Sequence, residues 1–544
     1  MCLVNVIKIS LLFIVFMMVL QAYAASEPDA DSPKSTPPLF EHLGTHHHEV
    51  TTRSPQAQQY FDQGLRFLYA FNYAEADRAF EETARLDPQC AMAYWGISMA
   101  LGPSYNNMSM DADHEKRTRE AATRAMVFKA AVSPRDQAYI EAVVVRYPAP
   151  PVNRASANEG YAAAMGNVWR RFPDDPDAGT LYAEALMDLH PWHLWSETEE
   201  PTLGTLEIMS TLDTVLEMDP DNPGANHYYI HTLEASPYPE RALAAAYRLP
   251  KTMPGASHLV HMPAHIYIRT GQWAAASHAN EAAVAADHAY LAQSHAEGRE
   301  PVMLGAHNSH FLAYSALMEG RSAVAYQAAQ DVATTFLPFA REEPKSGMDG
   351  MLTLPLSVQV RFGRWGDILL TPRPPKDFVT LTAFWHFARG LAFARTGQFK
   401  TAEKELTAVS AYRASLKPPE GKEVELIEKL LTGELAAERG QMDQAIRDLK
   451  AAVTIQDALG HGEIPAWLLS ARLYLGAALL KAGQVREADT VYDQDLKHFP
   501  NNGWALFGKA AALRQLGAPD AADVQREFDE AWPRADVKLT ASRF

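Results

Sequence analysis

From Tyr60 onward the apolar residues recur every three or four positions, the spacing of amphipathic helices. Residues 60–88, YFDQGLRFLYAFNYAEADRAFEETARLDP, place Tyr60, Gly64, Phe67, Ala76, Phe80 and Pro88 in a fixed order of large and small side chains. Small residues at set places let two antiparallel helices approach closely, and proline ends the unit because it cannot continue a helix. The same order returns in TAFWHFARGLAFARTGQFKTAEKEL (382–406), with Gly390, Phe393, Gly397 and Ala402. It returns again in LLTGELAAERGQMDQAIRDL (430–449), with Gly433, Gly440, Ala445 and Leu449. WLLSARLYLGAALLKAGQVREADTVYDQDLKHFP (467–500) repeats it with Gly476, Leu479, Gly483, Ala488, Tyr492 and Pro500, and a final helix pair starts at Trp504. One such match would be weak; several in one register predict an array of helix pairs.

The repeats resemble tetratricopeptide repeats (TPR), which implies an all-α fold, a tetratricopeptide-repeat helical solenoid. The chain is also similar to a group of exported bacterial repeat proteins that carry the segments ANHYYIHTLEASP and HLVHMPAHIYIR, here 225–237 and 258–269. Two proline-rich breaks interrupt the array, PAPP at 148–151 and TPRPPKD at 371–377. The second is the expected boundary between an N-terminal TPR-like region with a His-rich groove, 53–370, and a C-terminal TPR solenoid, 378–544. The alternative is a long loop within one continuous array.

Within the stretch 226–310, three successive repeat helices carry seven of the twenty histidines. In the repeats it resembles, the first helix of each unit lines a concave groove through positions 2, 5, 9, 12 and 13. Setting Gly271 at position 15 puts His258, His261 and His265 at 2, 5 and 9, and setting Gly320 there puts His307 and His310 at 2 and 5. Aligning Ala242 to the small position 20 puts His227, His231 and Glu234 at 5, 9 and 12. Helical spacing agrees without the resemblance, since i, i+4, i+7 and i, i+3, i+7 sets each share one helix face. A single helical histidine is usually an interior or surface residue. So many on converging faces are expected to bind metal, because unpaired buried imidazoles are costly and charged ones repel. Pro263 must either kink the second helix or start it late.

His386 falls at position 4, inside the repeat, and takes no site role. His278, His288 and His295 follow on the second helix or its exit loop and are expected to be exposed, while His190 and His193 sit in an aromatic loop that packs or covers the groove.

Nitrogen ligands with one carboxylate suit zinc or copper, with nickel and iron also compatible; the lack of thiolates disfavours copper(I) and iron–sulfur sites. Glu234 is the candidate catalytic residue, as ligand or general base. Seven histidines exceed one tetrahedral shell, so either two metals bind or some members act behind the ligands. GWALFGKA (503–510) has P-loop spacing but lacks the Ser or Thr, and no G-x-S-x-G, H-E-x-x-H or G-x-G-x-x-G occurs. Cys90 lies in apolar repeat packing and is not expected to be a nucleophile.

Composition narrows the setting. Lys8, the apolar run 9–20 and Ala22-Tyr23-Ala24 read as a secretory signal peptide, 1–24, so the protein is expected to be exported, periplasmic or secreted, with no membrane span after cleavage. Residues 25–52 read as a flexible lead-in containing His46, His47 and His48, either a solvated tail or a metal-recruiting arm. Only Cys90 survives cleavage, so no intramolecular disulfide can form. With 47% apolar residues there is ample core, and a net charge of −17 argues against nucleic acid as a partner. The leading expectation is an exported solenoid with a His-rich metal centre, for binding or for a metal-dependent hydrolase or oxidoreductase reaction. The alternative is a non-catalytic scaffold that captures a protein or peptide; the absence of Lys and Arg from the named inward positions favours metal.

Overall fold

The structure is a computed structural model that describes residues 36–196, 198–294, 299–344, 346–416, 420–459, 462–465 and 468–544. The leader segment 1–24, residues 25–35 and His295 lie outside the described residues. Among the described residues there is no β-strand, only isolated bridges at Ser104–Asn107 and Trp195–Pro201. The fold is all-α, a TPR-type array of antiparallel helix pairs. Its residues group into two compact units, one of 36–266 with 281–301 and one of 267–280 with 302–544. The division falls within 267–301, and the proline-rich segment 371–377 lies inside the second unit.

The first unit begins with α1 Pro55–Tyr69, α2 Tyr73–Leu86, α3 Ala91–Ala100, α4 Ala112–Phe128 and α5 Pro134–Arg146. It continues through α6 Arg154–Arg171, α7 Pro176–Met187, α8 Thr205–Met218, α9 Pro223–Leu233 and α10 Leu243–Thr252. Local chemistry sets the starts. Ser54 accepts the Ala57 N–H ahead of Pro55, and Asn222 accepts the Ala225 N–H ahead of Pro223. A capping side chain satisfies a donor that the first turn leaves open, and proline in that turn loses nothing. Gly64 and Gly96 lie on either side of the Phe80 ring, so close that a Cβ on either would meet it at 2.6 and 2.4 Å. That contact is the reason small residues occupy those places.

The chain then runs through α11 Ser257–His261, α12 Pro263–Arg269, α13 Trp273–Ser294 and α14 Arg299–Met318. Pro263 starts a helix, the second of the two outcomes expected of it. It opens α12 after a one-residue break at Met262, whose φ of −49° and ψ of −35° keep the path helical.

In the second unit follow α15 Ser322–Glu342, α16 Leu354–Arg361, α17 Trp365–Leu370, α18 Val379–Arg395, α19 Phe399–Ser415, α20 Glu420–Glu438 and α21 Met442–Ala458. The last elements are α22 Ala471–Lys481, α23 Val485–His498, α24 Gly503–Leu516 and α25 Ala521–Ala531. The close-approach rule of the first unit recurs: a Cβ on Gly433 would meet Leu449, and one on Gly476 or Gly508 would meet Tyr492 at 2.5 or 2.2 Å. Between paired helices, Gly271, Gly320, Gly397, Gly440 and Gly483 all take φ between 71° and 76°, the left-handed region that glycine enters without cost.

Candidate metal centre

α9 and the α11–α12 segment bring five of the expected histidines, and Glu234, together in the first unit. His227, His231, His258, His261 and His265 are all buried, as is Glu234 at the end of α9. His227, His231 and His258 each offer a ring nitrogen within 4.8 Å of the other two. The backs of the rings are fixed first. His227 Nδ1 lies 2.7 Å from the carbonyl of Tyr69, and since a carbonyl only accepts, this nitrogen carries the proton. Its Nε2 therefore presents a lone pair, 3.1 Å from His258 Nε2. His231 Nδ1 lies 2.8 Å from Glu234 Oε1, and by the same reasoning its Nε2 presents a lone pair, buried and with no hydrogen-bond partner among the described residues.

Glu234 serves two rings. Its other oxygen, Oε2, lies 2.5 Å from His265 Nδ1, and His265 Nε2 lies 2.8 Å from His261 Nε2. Expected as a ligand or general base, Glu234 stands behind two histidines with both oxygens engaged. One neutral ring can donate to the next at these nitrogen–nitrogen distances, and movement of that proton to the donor ring's Nδ1 frees two lone pairs for an ion while both rings stay neutral. The electrostatics favour neutral rings: burial and then the charge of neighbouring histidines hold His227 well below the usual imidazole range. Burial likewise lowers His231, against the pull of Glu234. For Glu234, burial opposes ionisation, but His265 and His231 overcome it and hold the carboxylate in its charged form.

An aromatic wall surrounds these rings. Phe71 stacks on His231 at 5.7 Å and 14° between planes and on His258 at 5.8 Å, with His227 at 4.4 Å. Trp192 meets His231 edge-on at 5.5 Å, and Tyr105 lies 5.4 Å from it. Phe71 and Trp192 have φ of 56° and 63°, where large side chains are strained. The Phe71 strain was visible in the repeat register, because Phe71 follows Gly64 by seven residues, as Gly397 follows Gly390 and Gly483 follows Gly476. Phenylalanine thus stands where the other turns carry glycine. Trp192 belongs to the loop singled out for His190 and His193; it is the tryptophan that reaches the centre, while His193 is exposed.

No family model and no curated protein sequence matches this chain. Solved structures that align with it include the human IFIT1 dimer with m7Gppp-AAAA, at 12% identity over 89% of this chain and 90% of that one, with a TM-score of 0.29. The APC/C hetero-tetramer Cut9–Hcn1 aligns at 14% identity over 88% of this chain and 74% of that one, also with a TM-score of 0.29. No described helix is long and apolar enough to cross a membrane.

His307 and His310, the remaining expected ligands, belong to the second unit. His307 packs edge-on against Phe311 at 5.0 Å. His310 lines a recess with Thr353, Ser357 and Glu423, and its buried Nε2 has no hydrogen-bond partner among the described residues; burial pushes its pKa down to about 4. His386 pairs through Nδ1 with Glu405 at 2.5 Å inside its repeat, as its position implied. Cys90 is buried, and burial pushes its thiol up to about 11, which keeps it protonated at neutral pH.

The tripeptide His46–His48 is folded into the first unit. His46 Nε2 and His48 Nδ1 lie 3.0 and 2.7 Å from the two oxygens of Asp177, and His47 Nδ1 lies 2.8 Å from Asp62. Asp175 joins His48 and Asp177 in a second group of ligand atoms within 4.8 Å of one another. Here, unlike at α9, the carboxylates face the ring nitrogens directly. Burial pushes the His48 pKa down, but Asp136 and Asp177 outweigh it and raise it to about 9. His46 is raised for the same reason, burial being overcome by Asp177. The group is a set of histidine–carboxylate pairs, with His48 Nε2 standing 3.7 Å from Asp136, outside hydrogen-bond distance.

Proposed function

We propose that this chain is an exported repeat protein whose first unit holds a transition-metal centre at His227, His231 and His258, used for metal-dependent chemistry. One observation carries the reading: His231 Nε2 is buried, deprotonated by the assignment of its Nδ1 proton to Glu234, and unpartnered among the described residues. An orphaned buried lone pair costs about 1–3 kcal/mol, so a ring held this way is paired by something in the working protein. The donor set suits zinc or copper(II), and three protein ligands are the number that catalytic zinc sites use while leaving a position open. A bound ion would supply Lewis-acid polarisation or, for copper or iron, redox chemistry, which defines the hydrolase and oxidoreductase alternatives. Tyr69 and Glu234 fix the tautomers of His227 and His231, and Phe71, Tyr105 and Trp192 limit water around the rings. Export rests on the apolar run 9–20 and the small residues that follow it.

Elemental analysis of untagged protein purified without chelator tests the centre. The expected result is about one equivalent of transition metal, lost in His231→Ala and His258→Ala. Trace metal that neither substitution alters would remove the basis of the reading.

A further inference from the structure

The tripeptide His46–His48 is joined to His227 of α9 through two residues, Asp177 and Tyr69. Asp177, at the start of α7, receives His46 Nε2 on Oδ1 and His48 Nδ1 on Oδ2. The same Oδ1 accepts the hydroxyl of Tyr69 at 2.7 Å. Tyr69 is the last residue of α1, and its carbonyl accepts the Nδ1 proton of His227 at 2.7 Å. We infer that His46 and His48 are positioning residues for the metal centre, acting through Asp177 and Tyr69 to set the orientation and tautomer of His227; this rests on the metal reading above.

The chain of contacts is short and well held. Arg66 Nε donates to the His46 carbonyl at 2.7 Å, so the tripeptide is tied to α1 by its backbone as well as by its rings. His48 donates its backbone N–H to Asp62, on the α1 face that carries Gln58, and Gln58 in turn bonds the His48 carbonyl at 2.9 Å. Tyr69 and Asp177 are both buried, and the Tyr69 hydroxyl has Asp177 as its acceptor. A tyrosine fixed at both its hydroxyl and its carbonyl has little freedom to turn, and Phe71, two residues on, stacks on the same histidines. Ligand-orienting partners are worth about 10–100-fold in metal affinity when removed. Contacts one residue further out are expected at the low end, about tenfold.

His47 provides the contrast within the same tripeptide. Its ring is half exposed and pairs with Asp62, outside the Asp177–Tyr69 path.

The test is cobalt(II) titration of the full-length protein, read by affinity and by the visible absorption band of the bound ion. Tyr69→Phe removes the hydroxyl while leaving the carbonyl, and is expected to weaken cobalt binding about tenfold and shift the band, with an unchanged unfolding temperature. His48→Ala is expected to weaken it similarly, and the double substitution to add nothing further, because both act on one path. His47→Ala is expected to leave affinity and band unchanged. Unaltered cobalt binding in Tyr69→Phe, or fully additive losses in the double variant, would overturn the inference while leaving the centre standing. Failure of the unsubstituted protein to bind cobalt would overturn both. Should His48→Ala not fold, Tyr69→Phe against the unsubstituted protein decides alone.

Discussion

Raising the pH should loosen the first unit through His48. Its imidazole is 5% exposed and sits among Asp136, Asp175 and Asp177, with Arg135 at the edge and the Tyr139 ring 5.7 Å away. Its pKa rises from 6.5 to about 9 in the folded protein. At about 1.36 kcal/mol for each pH unit, that difference corresponds to about 3 kcal/mol of stability. A raised histidine favours the folded state fully below the unfolded value of 6.5, and the contribution fades as pH climbs through 9. The depression of Asp177 is the same interaction seen from its partner and adds nothing to the sum. The assay is urea unfolding followed by circular dichroism at intervals from pH 6 to 9.5, on the unsubstituted protein and His48→Gln. Other titrating groups contribute to both curves, so the readout is their difference. It should shrink by about 3 kcal/mol across that range, and a difference constant with pH would show that His48 folds uncharged and the ion-pair description is wrong.

Four further outcomes are expected. Glu234→Gln should retain the fold while weakening metal affinity about 10–100-fold, measured by chelator competition, because an amide cannot accept from both His231 and His265. Phe71→Gly should be more stable than Phe71→Ala by about 1 kcal/mol in chemical denaturation, the reverse of the helical order, because φ at this turn is 56°. Gly476→Ala should cost about 1–3 kcal/mol, since its Cβ would press on Tyr492 from a helix that cannot withdraw. Cys90 should resist a thiol-specific reagent in the native protein at pH 8 and react on unfolding, timed by absorbance.

The helix pairs were legible because their signal is local and repeated: a glycine, a facing large residue and a turn glycine recur at fixed distances, and each does the same steric work. The register also placed five histidines and Glu234 on helices that meet in one unit, since helical spacing alone determines which side chains share a face. What stayed hidden depended on pairings distant in sequence. Nothing near His46 or His48 names Asp177, 131 and 129 residues away. The reading of that segment as a solvated tail or a recruiting arm followed from composition, which is blind to a buried carboxylate. The Tyr69 carbonyl could not be found by residue type, because every residue has a carbonyl and only its aim matters. Phe71 was within reach, as an exception to the glycine rule, but an exception is visible only after the register has been extended to the turn itself.

Charge sets how many ions the first-unit histidines can hold. With neutral rings, His227, His231, His258, His261 and His265 contribute nothing, and Glu234 contributes one negative charge that both rings behind it share. One divalent ion at the three-histidine group leaves a net charge of plus one in a buried place, which a single anionic group at an open coordination position would neutralise. A second ion at His261 and His265 would leave plus three, against a desolvation cost of several kcal/mol for each uncompensated charge. These residues alone therefore favour one ion at His227, His231 and His258. His265 then acts mainly as the second ring oriented by Glu234, and His261 as the donor that keeps the His265 Nε2 lone pair occupied. The excess of histidine over a single coordination shell would then have a use that does not require a second metal: neutral, mutually hydrogen-bonded rings would surround an ion without adding charge to an interior that already has too few anions.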